Sequence, residues 1–177
     1  MPATDAAPGA RSFPAAPWST SLKATSFAGS AILVAVGYAM AQAIPYGTSA
    51  PFAEGFGMLI AWVPPLVGLL AVLFVVRGYE LAPGELRVIR LLWSTRVPLA
   101  GLREVRADSE AMTGSLRLFG NGGLFSFTGL FQSRTLGRYR AFVTDPKHAV
   151  VLHTASRVIV VSPADPRAFV EAARAFG

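Results

Sequence analysis

The sequence contains no cysteine and only two histidines among its 177 residues. Disulfides, thiolate metal centres and a cysteine nucleophile are therefore excluded. Two histidines leave little from which to build a histidine-based metal site. Charge is scarce as well: 15% of residues are Asp, Glu, Lys or Arg, against roughly 25% in a soluble domain. With 53% hydrophobic residues and a mean hydropathy of +0.47, this is not the composition of a wholly soluble protein. The length allows one soluble domain with additions, not two large domains.

The scarcity is uneven. Residues 1–76 hold Arg11 and Lys23 against Asp5 and Glu54, and so sum to zero. Residues 77–177 hold fourteen Arg or Lys against eight Asp or Glu, and so carry the whole net charge of +6. A neutral, apolar first part is joined to a basic second part.

Residues 1–22 are rich in Ala, Pro and Ser and have no apolar period, the pattern of a disordered tail. Residues 27–44, FAGSAILVAVGYAMAQAI, contain no charge. As a helix they span about 27 Å, enough to cross a hydrocarbon core. Residues 57–76, GMLIAWVPPLVGLLAVLFVV, form a second uncharged run, about 30 Å long as a helix. Pro64 and Pro65 predict a kink within it, which membrane helices tolerate. Two charge-free runs of this length argue against buried core helices. A signal peptide is the competing reading of the first run, since Lys23 precedes it and Ala41-Gln42-Ala43 resembles a cleavage site. Its basic leading region would, however, exceed twenty residues.

The connection at 45–56 has no Lys or Arg, whereas Arg77, Arg87, Arg90 and Arg96 follow the second run. The positive-inside rule then places both termini in the cytoplasm and residues 45–56 outside. Residues 23–77 thus read as a transmembrane hairpin. Ala31, Ala35, Ala39 and Ala43 recur every four residues. They make a smooth stripe on which the second helix, through Gly57 and Ala61, is expected to pack.

From residue 78 the period changes. Residues 79–81 and 85–88 alternate polar and apolar around the turn pair Pro83-Gly84. Alternation slips at Arg90, before Leu91-Leu92-Trp93, where a bulge is expected. Further strands are expected at 95–99, 102–106, 124–128, 137–143, 149–154 and 158–161. In the 137–143 segment Tyr139, Ala141 and Val143 share one face, and Arg138 and Arg140 the other. Asp165 and Pro166 are a cap and first-turn pair. Phe169, Ala172, Ala173 and Phe176 then line one face of a closing helix. About seven short strands and one amphipathic helix predict an α+β domain over 78–177, a small barrel or sandwich plugged by its terminal helix.

Three segments resemble the bacterial pleckstrin-homology-like (PH) domain family. They are Val97-Pro98-Leu99-Ala100-Gly101-Leu102-Arg103-Glu104-Val105, the Gly-rich stretch from Phe119 to Phe131 leading to Leu136-Gly137-Arg138-Tyr139, and the stretch from Val160 to Phe169. The likeness covers residues 78–177. It implies a seven-stranded, partly open barrel with a C-terminal helix, often placed after membrane helices, and no enzymatic activity. Phosphoinositide binding by eukaryotic relatives does not transfer by fold alone.

Chemistry-bearing residues are few. Gly120-Asn121-Gly122-Gly123 is not a phosphate loop, because no Lys-Ser/Thr follows and a strand rather than a helix comes next. A turn with positive φ explains it. His148 and His153 point to opposite faces of a strand. Glu104, Asp108 and Glu110 lack calcium-loop spacing, and Ser162 lacks a nucleophile-elbow context. No cofactor, metal site or catalytic cluster is implied. The remaining candidates are basic: Arg117, Arg134, Arg138 and Arg140, a surface for an anionic lipid headgroup or for a protein or peptide partner, beside the lipid bilayer itself. Nucleic acid is disfavoured by membrane tethering and the lack of a binding motif. The expected role is a non-catalytic, membrane-anchored binding or scaffolding module. The alternative is a sensor or transport accessory, but Ser30, Tyr38, Gln42 and Trp62 are the only polar groups the two runs offer it.

Overall fold

The computed structural model describes residues 9–44 and 51–176, with the side chains of 51–54 set aside. Residues 1–8 of the expected tail and 45–50 of the expected loop lie outside the described residues. Helix α1 (Thr20–Gln42) begins where the Ser19 hydroxyl accepts the Leu22 N–H. The second apolar run is two helices, α2 (Pro51–Ala61) and α3 (Val63–Val72), broken at Trp62. Both spans are long and apolar enough to cross a membrane, and only 11% and 6% of their most apolar windows is buried. A core helix of a soluble protein would be mostly covered. Here Phe27, Ile32, Leu59 and Leu69 are all more than 60% exposed, an outer surface suited to lipid.

The break sets the hairpin packing. Pro65 has no N–H, so the Ala61 carbonyl loses its helical donor. That carbonyl turns toward α1 at Gly37, where an added Cβ would sit 2.8 Å from it and 2.9 Å from the Pro65 ring. Only glycine allows this approach. The buried face of α1 therefore runs through Leu22, Ser26 and Gly37. Ala31, Ala35, Ala39 and Ala43 are exposed. The expected alanine stripe does not make the hairpin contact, because Ala35 and Ala39 each lie two residues, about 200° around the helix, from Gly37. Gly57 meets Ile44 instead.

The rest is a sandwich of two sheets. The first is antiparallel, in the order β1 (Arg11–Pro14), β2 (Gly78–Ala82), β3 (Glu85–Ile89) and β4 (Ser94–Pro98). The second follows the order β5 (Glu104–Ala107), β9 (Val150–His153), β10 (Val158–Val161), β8 (Gly137–Val143), β7 (Phe127–Ser133) and β6 (Leu116–Gly122). The pair β8–β10 is parallel. Helix α4 (Pro166–Ala175), capped by Asp165, buries Phe169, Ala172 and Ala173 between the sheets as its spacing predicts. Tyr139, Ala141 and Val143 are buried, on the outer face of the second sheet.

Nine described strands lie within 78–177, more than the expected seven, and the sheets do not close into a barrel. The expected strand at 124–128 is mostly turn, and β6 lies in the stretch that reads as polar and glycine-rich. As an outer strand with an exposed surface, β6 has no need of an apolar face. The tail also differs from expectation, since residues 11–14 pair with β2 in the register Arg11↔Leu81 to Pro14↔Gly78. Backbone pairing needs no side-chain period. A single ring, Phe13, anchors the strand by meeting Phe169 edge-on at 5.1 Å.

Tyr79 ties the two sheets together. Its hydroxyl donates to the Phe142 carbonyl at 2.6 Å and accepts the Ser162 N–H at 3.0 Å. Complete burial pushes its pKa up to about 12 from 10. Below pH 10 the phenol is neutral in both folded and unfolded chains. Between pH 10 and about 12 only the unfolded chain releases the proton, so stability falls with rising pH through that window. The full loss is roughly 2–3 kcal/mol. Urea unfolding of the detergent-solubilised protein between pH 9 and 11.5 should show this slope, and Tyr79→Phe should flatten it. Tyr139, raised in the same direction by desolvation, supplies the remaining slope. An unchanged slope in Tyr79→Phe would remove Tyr79 as its source.

Candidate functional site

The domain is fixed to both apolar helical segments by hydrogen bonds at the end that faces them. After α3 the chain turns through Phe74, whose carbonyl accepts from Arg90 Nη1 at 2.6 Å and Ser126 Oγ at 3.2 Å. On α1, Thr25 Oγ1 and Ser26 Oγ donate to the Gly123 carbonyl at 2.9 and 3.2 Å, and Ser26 Oγ accepts the Phe125 N–H at 2.8 Å. The turn between β6 and β7 is thus a docking element. It is shaped by the Asn121 side chain, which accepts the Leu124 N–H at 2.9 Å and donates to the Leu124 carbonyl. Phe125 at the tip has φ 67°, a left-handed conformation costly for a bulky residue. The turn expected at Gly120 to Gly123 begins later than its composition predicts: Gly120 to Gly122 finish strand β6 and pair with β7, and only Gly123 enters the turn, although Gly120 and Gly123 do have positive φ.

Between this end of the domain and α3 lies a cavity of about 950 Å³, near the top of the roughly 300–1,000 Å³ typical of ligand pockets. Val67, Leu70, Ala71 and Phe74 form one wall, at the i, i+3, i+4, i+7 spacing of a single helix face. Opposite stand Phe119 to Asn121 on β6, Thr128 to Leu130 on β7, and Arg140 and Phe142 on β8. Arg90 and Trp93 from the β3–β4 connection and Thr95 on β4 complete the lining with Arg117 and Leu124. The second sheet is wider than the first, so β6 and β7 overhang it and face the helix.

The lining is apolar with three arginines and no carboxylate. The Arg90 and Arg140 guanidiniums both stack on the Phe142 ring, each 5.6 Å from its centroid. Arg90 also lies 5.5 Å from the Phe74 ring, and its Nε donates to Thr95 Oγ1 at 3.0 Å. Arg90 is only 6% exposed. Desolvation, and secondarily the charge of Arg140, pull its pKa below the usual arginine value. Two cations held on one ring in a partly dry site create a field that favours an anion.

Of the four arginines that the sequence singles out, Arg117 and Arg140 line the cavity. Arg138 shares the Arg140 face of β8 but sits two residues, about 7 Å, further toward the β7–β8 turn. Arg134 lies in that turn. Both are exposed and neither lines the cavity. Arg90 is the residue that sequence reasoning missed as a site. Its signal was the slip in alternation at 90–93, where the Arg90 N–H donates to the Trp93 carbonyl at 2.9 Å and closes the turn.

The other polar groups serve structure. Arg106 lies 3.9 Å from Glu104 and 3.3 Å from Asp108, while Glu110 accepts from the Thr113 hydroxyl. His148 Nδ1 is 3.0 Å from Asp145 Oδ2, a carboxylate that also holds the Lys147 N–H. Among the described residues no group of three His, Cys, Asp or Glu side chains is placed to hold a metal.

A family model described as the bacterial PH domain matches residues 77–175. The chain belongs to the bacterial PH domain family. No curated protein and no solved structure matches it. PH domains are in general non-catalytic binding modules. In this one, β1 lies outside the matched residues and is supplied from the chain segment that precedes the first span. The cavity likewise combines the PH domain with α3, which the family match does not include.

Proposed function

We propose that the protein is a non-catalytic, membrane-anchored binding module whose PH domain works at the cytoplasmic face of the membrane, with the arginine-lined groove beside α3 as its binding surface. The groove carries this reading. It is the place where the cationic side chains Arg90, Arg117 and Arg140 converge without a carboxylate in the lining, and it opens where the domain meets the apolar helices.

Two observations support the orientation. Strand β1 precedes the first span, β2 follows the second, and the two are paired, which favours both ends of the hairpin on one side. The basic residues following the second span favour the cytoplasmic side. Cleavage of the first span as a signal peptide would remove β1 from the sheet. The absence of cysteine makes the test direct. In intact cells a Ser49→Cys variant should react with an impermeant thiol reagent, whereas Ser12→Cys and Ser156→Cys should not. Intact mass should show residues 11–14 retained. Labelling at Ser156→Cys from outside would overturn the orientation, and a mature chain starting beyond residue 43 would overturn the two-span anchor.

A further inference from the structure

We propose that the groove holds one anionic phospholipid from the adjoining leaflet, with its phosphate between Arg90 and Arg140 and an acyl chain along the Val67, Leu70 and Phe74 face of α3. This rests on the reading that the PH domain lies against the membrane, and it names what the groove binds there. The charge argument comes first. Arg90 has five N–H donors and uses two of them, on the Phe74 carbonyl and Thr95. No carboxylate of the described residues pairs with Arg90, Arg117 or Arg140. An anion entering the groove therefore displaces no internal carboxylate and relieves the repulsion between Arg90 and Arg140.

The second argument is polarity. One whole wall is a membrane-spanning helix, so an occupant must be apolar along that side and anionic at the arginine end. A phospholipid is such a molecule, and the bilayer supplies it at high local concentration. A soluble phosphate ester would satisfy the arginines and leave the α3 wall wet. An acidic peptide would have to displace lipid from α3 to reach Arg90. The rim agrees with a bilayer boundary: Leu92 is 73% exposed, Phe119 80% and Trp93 39%, and tryptophan favours the membrane–water interface. Headgroup charge should decide between lipids. A zwitterionic headgroup brings its own ammonium toward the arginines, whereas phosphatidylglycerol does not.

Trp93 lines the groove and reports on it. The full chain with Trp18→Phe and Trp62→Phe retains Trp93 as its single tryptophan. It is placed in phosphatidylcholine nanodiscs containing a fixed fraction of bromine-labelled chains, carried either by phosphatidylglycerol or by phosphatidylcholine. The expected result is stronger Trp93 quenching with the anionic lipid, corresponding to a preference of about five-fold or more. The preference should disappear in Arg117→Ala/Arg140→Ala at unchanged melting temperature, and it should survive millimolar glycerol phosphate. Equal quenching by both lipids would overturn the proposal, as would a preference that persists in the double variant. Reversal by glycerol phosphate would overturn it in favour of a soluble ligand. Each of these failures leaves the cysteine labelling pattern intact, so the two-span anchor and its orientation stand or fall separately from what the groove binds.

Discussion

Deleting residues 1–17 is expected to destabilise the PH domain severely, although every residue of the family match stays in the chain. The deletion removes β1, which exposes the edge of β2. It takes away Phe13, whose ring packs on the fully buried Phe169. It also removes Ala16, which is 2% exposed. Ala16 donates its N–H to the Ser162 carbonyl at 2.8 Å, and its own carbonyl accepts the Thr144 hydroxyl at 2.7 Å. Thr144 is completely buried, so its hydroxyl would keep only Ser162 Oγ, at 3.2 Å. A lost aromatic contact plus disrupted buried hydrogen bonds amounts to about 4 kcal/mol or more. For a chain of this size that lowers the melting temperature by roughly 8–16 °C. Thermal unfolding in detergent measures the loss, and hydrogen exchange at the β2 amides locates it. An unchanged melting temperature with β2 still protected would mean that the segment before the first span is not part of the domain.

That strand shows where sequence reading stops. Side-chain periodicity reveals elements that bury one face, and it found Tyr139, Ala141 and Val143, the Phe169 face of α4 and the Asp165 cap. Strand β1 has four residues, one of them proline, and is held by backbone pairing, so it leaves no period to detect. Strand β6 lies at a sheet edge, where glycine and exposed side chains look like a loop. In the hairpin, the alanine repeat is visible in the sequence. The Gly37 contact is not, because it depends on a carbonyl freed by Pro65 on the other helix. The groove was legible only in part. Arg117 and Arg140 could be noticed as cations, and the parity of β8 places Arg140 on the Phe142 face, away from Tyr139, Ala141 and Val143. Nothing in one strand tells that Arg140 reaches a helix some seventy residues earlier while Arg138, on the same face, falls short. Such a site exists only once α3, the β3–β4 turn and the overhang of β6–β8 have been brought together.

The same geometry gives Arg90 a structural role, besides its place in the groove, that Arg140 does not share, and this gives the second large effect. Arg90→Ala is expected to loosen the junction between PH domain and hairpin, whereas Arg140→Ala is not. Removing the Arg90 side chain deletes its hydrogen bonds to the Phe74 carbonyl and to Thr95 Oγ1, and its stacking on the Phe74 and Phe142 rings. It also leaves a gap where a nearly buried side chain had packed. Charged hydrogen bonds and cation–π contacts of this kind together make the loss about 3 kcal/mol, or roughly 6–12 °C in melting temperature for a chain of this size. Arg140 is exposed and makes no described ion pair, so its truncation should stay within about 0.5 kcal/mol of the parent. Arg90→Lys separates charge from shape. It keeps a cation in the groove but cannot reproduce the planar fork that reaches the Phe74 carbonyl and Thr95 together, so most of the loss should remain. Melting curves of the three variants in the same detergent make the comparison. Equal losses in Arg90→Ala and Arg140→Ala would contradict this division. A fully stable Arg90→Lys would show that charge alone holds the junction. The expected order, with Arg90→Ala lowest, Arg90→Lys slightly above it and Arg140→Ala near the parent, follows from Arg90 alone using part of its donor set to tie the hairpin to the domain.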